Sequence, residues 1–426
     1  MLNRTITPPY QQVNDINFIA PEHKILSNGI KVYNFNAGQK ELVRIEFIFN
    51  NVNWDQNKPL QAVTVNSLIN NGTKNLSAKE IAEKVDYFGA FLQSDYGADH
   101  ITITLYSLSK YLSAVLPIVK AILTESIFPQ QELEIFVQNQ KQKLQVNLQK
   151  NDFLARKTFA HGVFGDTAYG SDITLADYDA LRREDLISYF KAAFKPENCV
   201  IICAGKFDER EFALLDEFFG KGWENHSPTE LNKFHYEPGQ GTQIFIAKPD
   251  SVQSAIRMGK LAINRAHRDF PAFQVLNTLL GGYFGSRLMA NIREDKGYTY
   301  GIGSGIASLK HAGYFFIATE VGGDVYEDAL KEIYKEIELL RSDRASDEEL
   351  DLVRNYMLGS LLGSLENIFS HADKFKNLYF SGLNYDYYTN YIHTVKNIST
   401  EDIQQIAQQY LDPSTFIEVV VGKQNV

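Results

Sequence analysis

The residues of this chain that could do chemistry are few, and their spacing limits what they could do. Nine histidines are present: His23, His100, His161, His226, His235, His267, His311, His371 and His393. No two lie three to five positions apart, so no helix offers the pair of imidazoles that a zinc site usually needs. Cys199 and Cys203 sit in the apolar run NCVIICAG. A thiolate is disfavoured there, and two cysteines cannot make a disulfide scaffold. Asp99-His100 and His371-Ala372-Asp373 read as surface neighbours. Gly-Gly-Tyr-Phe-Gly at 281–285 lacks the spacing and the lysine of a phosphate loop.

The most informative stretch is LLGGYFGSRLMANIREDKGYTYGIGSG, residues 279–305. Gly281, Gly282 and Gly285 predict a flexible turn, and Ser286 is placed to cap a short helix. Leu288, Met289 and Ile292 give that helix an apolar side, and Gly297 is placed to end it in the left-handed conformation. Tyr298, Tyr300 and Ile302 then fall on one face of a strand.

The elements around this stretch occur twice. Leu350 lies 217 positions after Leu133 (350 − 133), and the same offset carries Asp185 to Asp402, Pro196 to Pro413 and Gly205-Lys206 to Gly422-Lys423. The chain is a tandem duplication. Val43, Ile45, Phe47 and Phe49 alternate with Arg44, Glu46 and Ile48, the pattern of a half-buried strand. Ile101, Ile103 and Leu105 alternate in the same way with Thr102, Thr104 and Tyr106. Leu112, Val115, Leu116, Val119, Ile122 and Leu123 keep helical spacing, as do Leu330, Ile333, Ile337 and Leu340. In each half a helix ends before Pro196 or Pro413, because the residue preceding proline resists the α conformation. The expected fold is α+β: two similar tandem halves, each a largely antiparallel sheet with helices packed on one side. The first half spans 17–225, a polar linker 226–241, and the second half 242–426.

Composition removes whole classes of function. The 426 residues carry 42 basic and 52 acidic side chains, a net charge of −10. No basic stripe offers itself to nucleic acid. Hydrophobic residues at 44% and charged residues at 22% fit a folded globular chain rather than a disordered one. No run reaches the roughly 18 apolar residues of a membrane span, and the first twenty residues lack a signal-peptide core. The expected location is the cytoplasm; a leader removed beforehand would allow the periplasm instead.

Read for motifs, the chain resembles the pitrilysin/insulinase family of zinc metallopeptidases, which includes the mitochondrial processing peptidase. The resemblance rests on Ser286-Arg287-Leu288, Arg293 and Lys296-Gly297-x-x-Tyr300. It extends to Ser27-Asn28-Gly29-Ile30, Asn71-Gly72-Thr73, Phe164-Gly165-Asp166, Arg183-Glu184-Asp185-Leu186 and Pro196-Glu197-Asn198. Active relatives carry H-x-x-E-H just upstream of the Gly-Thr pair, two imidazoles on zinc and a glutamate that activates water. Here those positions hold Val63, Asn66 and Ser67. The family's third ligand is a glutamate on a later helix, and residues 135–151 contain no acid. The resemblance therefore implies no metal site, no cofactor and no catalytic residue in this chain, zinc being expected only in a partner.

What the resemblance does preserve is Arg293 and Tyr300, which in the family hold substrate and stabilise the oxyanion; a guanidinium and a phenol are donors suited to that charge. Unaided by the motif, Arg293 would be read as paired with Glu294 or Asp295. The family's substrate edge follows a Gly-Ala pair, kept here as Gly89-Ala90, but its Asn-Ala is replaced by Gln93-Ser94. Tyr87, Phe88, Phe91 and Tyr96 are expected to pack a core or an interface. The resemblance implies a non-catalytic, substrate-binding subunit of a heterodimeric peptidase, partnered by an H-x-x-E-H chain. The other reading is a homodimeric peptide-binding or scaffold protein without peptidase activity.

Overall fold

The computed structural model describes residues 13, 15–37, 41–223, 229–237 and 239–424. The expected linker, 226–241, falls partly outside them. In the first half, strands β1 (Glu22–Ile25), β2 (Lys31–Asn36), β3 (Leu42–Asn50), β4 (Phe91–Tyr96), β5 (His100–Leu108) and β6 (Cys199–Gly205) make a sheet ordered β1-β2-β6-β3-β5-β4. Its helices are α1 (Gln61–Leu68), α2 (Ala78–Tyr87), α3 (Leu112–Glu125), α4 (Gln130–Asn147), α5 (Asn151–Phe164), α6 (Leu175–Asp179), α7 (Arg183–Ala193) and α8 (Glu209–Leu215). The second half has β7 (Thr242–Ala247), β8 (Gln253–Ala262), β9 (Thr299–Ser308), β10 (Gly313–Gly322) and β11 (Ile417–Gly422), ordered β7-β11-β8-β10-β9. Its helices are α9 (Phe270–Asn277), α10 (Tyr326–Ser342), α11 (Asp347–Gly363), α12 (Ile368–Phe380), α13 (Asp386–Asn397) and α14 (Thr400–Tyr410). Both sheets are antiparallel except for one parallel pair each, β2 with β6 and β7 with β11.

The fold is α+β and doubled. α5 and α12, and likewise α7 and α14, begin 217 positions apart (368 − 151 and 400 − 183). Each half buries its own apolar helix faces against one side of its sheet. In the first half Val43, Ile45, Phe47 and Phe49 meet Leu112, Val115, Val119, Leu186 and Phe190. In the second, Ile256, Met258, Phe315 and Ile317 meet Ile333, Ile337, Leu350 and Ile403.

The opposite face of each sheet is covered by a helix from the other half. α5 lays Ala155 and Phe159 on Ala255, Val419 and Val421, while α12 lays Ala372 on Phe35, Ile48, Ile202 and Ala204. β3 was expected to be half-buried, but Arg44, Glu46 and Ile48 are buried as well. The alternation misleads because the polar residues face α12 instead of water. Arg44 reaches Asp373 at 2.9 Å and Glu46 at 3.1 Å, and Lys376 reaches Glu46 at 2.6 Å. Burying charge is costly unless each group is paired, and here the partners come from both halves.

His371-Ala372-Asp373 is thus part of the joint, with His371 buried, not a surface neighbour. His100 stacks on Phe380, ring centres 4.5 Å apart. Asp99 accepts from Tyr169 Oη and from the backbone N–H of Lys310 in the other half, at 2.5 and 2.9 Å. Among the described residues no helix is long and apolar enough to cross a membrane.

Candidate functional site

α1 carries the positions that the resemblance assigns to metal ligands. Thr64, Val65, Asn66 and Leu68 bury its inner side. Ser67 Oγ, exposed, donates to the Val63 carbonyl of its own helix at 2.8 Å. That back-bond is the usual fate of a helical serine with nothing else to hold. Valine has no lone pair, and Asn66 Oδ1 is buried without a donor. The helix to which the resemblance assigns the third ligand adds nothing: α4 turns Gln138, Lys141, Gln142 and Gln145 into a groove with Tyr178 and Asp179, where Lys141 pairs with Asp179 at 2.6 Å. Among the described residues no three His, Cys, Asp or Glu side chains cluster as a metal site would require. The residues present do not fit zinc.

The surrounding motifs do structural work. Asn71 Nδ2 donates to Glu132 on α4 at 2.7 Å, and Arg183 Nε donates to the Phe128 carbonyl at 2.8 Å. Asn198 Nδ2 donates to the carbonyls of Asn50 and Ala193. The cysteines lie in β6 as expected, and burial pushes both thiols far up. Of the aromatic residues at the β4 edge, Phe88 and Tyr96 pack against the core. Tyr87, at the end of α2, and Phe91, on the exposed face of β4 with Gln93 and Asp95, do not; both are exposed.

The second-half motif has a different geometry. The predicted flexible turn at Gly281–Gly282 is a buried π-helical turn, Thr278–Gly282. Gly281 is there for contact: a Cβ on it would meet Ser304 N at 2.6 Å, so only glycine lets this turn pack on β9. Ser286 does not cap the next helix. Its hydroxyl is buried without a partner, and only its carbonyl takes part, accepting from Ala290 N at 2.9 Å. The helix is π-wound over Met289–Asp295. It ends as predicted at Gly297, φ +65°, with Tyr298 N–H bonded back to the Ile292 carbonyl at 3.0 Å.

Three ties anchor this helix. Arg287 makes a bidentate pair with Glu349 of α11, at 2.7 and 2.8 Å. Burial opposes the Arg287 charge, but the Glu349 carboxylate more than compensates and raises its pKa. Asn291 Nδ2 donates to Glu332 and Glu336 of α10, at 2.9 and 2.7 Å. Tyr283 packs on Tyr356 with ring centres 4.9 Å apart.

Arg293 stands on this anchored helix and joins none of the ties. Asp295 pairs with Lys296 at 2.8 Å, so the local pairing considered for Arg293 does not form. Its guanidinium lies 4.8 Å above the ring of Phe284, a cation–π contact with a ring that is itself 62% exposed. Tyr300 is 91% exposed. It does not share a face with Tyr298 and Ile302, which pack into the second-half core. The reason is a β-bulge. Ile302 pairs with Thr319 and Thr299 with Val321, so Tyr300 and Gly301 together oppose Glu320 alone. Thr299 Oγ1 fixes the bulge by donating to the Glu320 carbonyl at 2.7 Å. No hydrogen bond or ring contact joins Arg293 to Tyr300 among the described residues. Phe284, Glu349 and the bulge are the parts of this site that spacing did not disclose.

Residues 180–357 match the family model described as "Peptidase M16 inactive domain". The chain is 26% identical over 301 residues, 70% of its length and 72% of the relative's, to "Uncharacterized zinc protease YmxG" of Bacillus subtilis. It is 24% identical to "Non-peptidase homolog YmxG" of Helicobacter pylori, over 86% of this chain and 85% of that one. Among solved structures, a peptidase M16 inactive domain from Pseudomonas fluorescens superposes with a TM-score of 0.87 at 21% identity, over 96% of this chain and 99% of that one. What the chain shares with the Pseudomonas fluorescens structure is the fold, over nearly its whole length. Over residues 180–357 the chain is therefore similar to the M16 inactive-domain family, and over most of its length to proteins named as zinc proteases or as a non-peptidase homolog.

Proposed function

We propose that this chain is the non-catalytic, substrate-binding member of a two-chain M16-type peptidase, presenting Arg293 and Tyr300 to a peptide bound at the zinc of an H-x-x-E-H partner. The reading is carried by one contrast. Every metal position of α1 is filled by a side chain that cannot hold zinc, while among the described residues Arg293, half-buried, and Tyr300, exposed, have no internal ion pair and stand on a braced support. In this role the guanidinium and the phenol donate to a peptide carbonyl oxygen as charge builds on it. Arg293 is held by an aromatic ring, which leaves its hydrogens for a ligand. Zinc belongs to the partner, and this chain holds no cofactor.

The test is the assembled pair. Arg293→Ala/Tyr300→Phe lowers kcat by about 10²-fold or more, the range for losing oxyanion donors, and the chain alone cleaves no peptide. Activity untouched by the double substitution ends the proposal. A tight homodimer that binds peptide, with no second chain increasing its affinity, favours the scaffold reading instead.

A further inference from the structure

A second polar recess lies behind the glycine turn, between α9, α11, α12 and α13. It has a volume of about 260 Å³ and is lined by Gln274, Asn277, Ser360, Ser364, Lys374 and Tyr391. Typical pockets for drug-sized ligands run from about 300 to 1,000 Å³, so this one takes a small group or the end of a longer molecule. Ser360 is exposed, which leaves the recess open to solvent.

Its lysine has no direct partner among the described residues, and Asp373 offsets its charge only in part. Among the described residues Lys374 Nζ has no ion-pair or hydrogen-bond partner. The acid beside it in sequence, Asp373, is committed to Arg44 at 2.9 Å and to Lys376 at 3.4 Å. Arg265, whose guanidinium lies 5.8 Å over the Tyr387 ring, adds a second positive charge. Burial and Arg265 together lower the Lys374 pKa. A half-buried ammonium beside another cation is costly unless an anion answers it. One acceptor of the recess is also unmet: Asn277 Oδ1 is buried and accepts nothing. Tyr387 Oη donates to Gln274 Oε1 at 3.3 Å, leaving the Gln274 amide hydrogens uncommitted.

We propose that this recess binds a carboxylate with an adjacent N–H group, the carboxylate on Lys374 and the N–H on Asn277 Oδ1. An acylated amino acid and the free C-terminus of a peptide share that chemistry. The proposal stands apart from the role of Arg293 and Tyr300, and binding is read on the chain alone.

Isothermal titration with N-acetylglycine, N-acetylglycinamide, acetate and inorganic phosphate tests it. N-acetylglycine binds saturably and N-acetylglycinamide does not. Lys374→Met weakens N-acetylglycine about tenfold or more, the value of one charge-assisted hydrogen bond. Asn277→Leu weakens it about fivefold while leaving acetate unchanged. Lys374→Gln serves if the methionine variant loses its native circular dichroism. Peptides with free C-termini, compared with their amidated forms, separate the two sources: binding of the free forms alone points to peptide ends, and exclusion of both points to acylated amino acids. No saturable carboxylate binding to the folded protein overturns the proposal. So does phosphate binding as tightly as N-acetylglycine with no effect of Lys374→Met, which would mark a general attraction for anions.

Discussion

Tyr300 and Arg293 are seven positions apart and are held by different means, so their substitutions should behave differently. Tyr300 is 91% exposed and, among the described residues, its side chain makes no hydrogen bond or ring contact. Tyr300→Phe should therefore leave the urea unfolding free energy within about 0.5 kcal/mol of the parent, so any loss of complex activity is functional. Glu349→Ala removes the bidentate partner of Arg287, both groups being mostly buried. It should cost about 1–3 kcal/mol in the same measurement and displace Arg293 by loosening the helix beneath it. Arg293 and Tyr300 were singled out in the sequence only because a motif fixes their spacing. Glu349 was not: it lies 62 residues beyond Arg287, and nothing local marks a long-range ion pair. Phe284, between two glycines, read only as part of a turn.

Elements were legible where periodicity decides them and illegible where one extra residue does. The strand at 42–50 and the helices at 112–125 and 326–342 follow from spacing. The π-wound turns and the bulge do not, since each inserts a residue into a regular pattern and moves every following side chain. Burial of the second face of β3 was hidden too, because Arg44 and Glu46 read as solvent-facing until α12 supplies Asp373 and Lys376. The segment before β1 shows a further dependence on α12. Ile19 N–H donates to His371 Nδ1 at 3.2 Å, and Tyr385 Oη donates to the Ile19 carbonyl at 3.1 Å. Burial holds the His371 pKa below its ordinary value. A depressed histidine pKa gives stability that is complete above the unfolded value of about 6.5 and is lost as pH falls through the folded value. Protonation of Nδ1 also removes the acceptor. Hydrogen exchange at Ile19, corrected for its intrinsic rate, should show protection at pH 7.5 that is lost as pH falls below the unfolded value of about 6.5 and through the lower folded one. His371→Leu should remove it at every pH.

At the scale of the molecule, the halves are not two bodies on a hinge. The clamp motion that a polar linker suggests is opposed by α5 and α12, each buried on the other half's sheet, and by the Asp99–Lys310 contact. A protease site engineered within 229–237 and cut should leave both fragments in one gel-filtration peak. Phe159 is fully buried on that joint. Phe159→Ala should cost about 3–5 kcal/mol while unfolding stays a single transition; two separated transitions would show that the halves are independent.

The exchanged helices also set an order of events on the ribosome. The sheet of the first half has all its strands once Gly205 is made, yet Phe35, Ile48 and Ile202 wait for Ala372 to cover them. Synthesis runs N-terminal first at about 5–20 residues per second, so the 167 residues from Gly205 to Ala372 (372 − 205) leave that face bare for about 8 to 33 seconds in every round of translation. A nascent chain in this state offers an apolar sheet to whatever is nearby, and a chaperone is the natural occupant. Truncation before α12 should therefore yield insoluble product even though the fragment holds a complete first-half sheet.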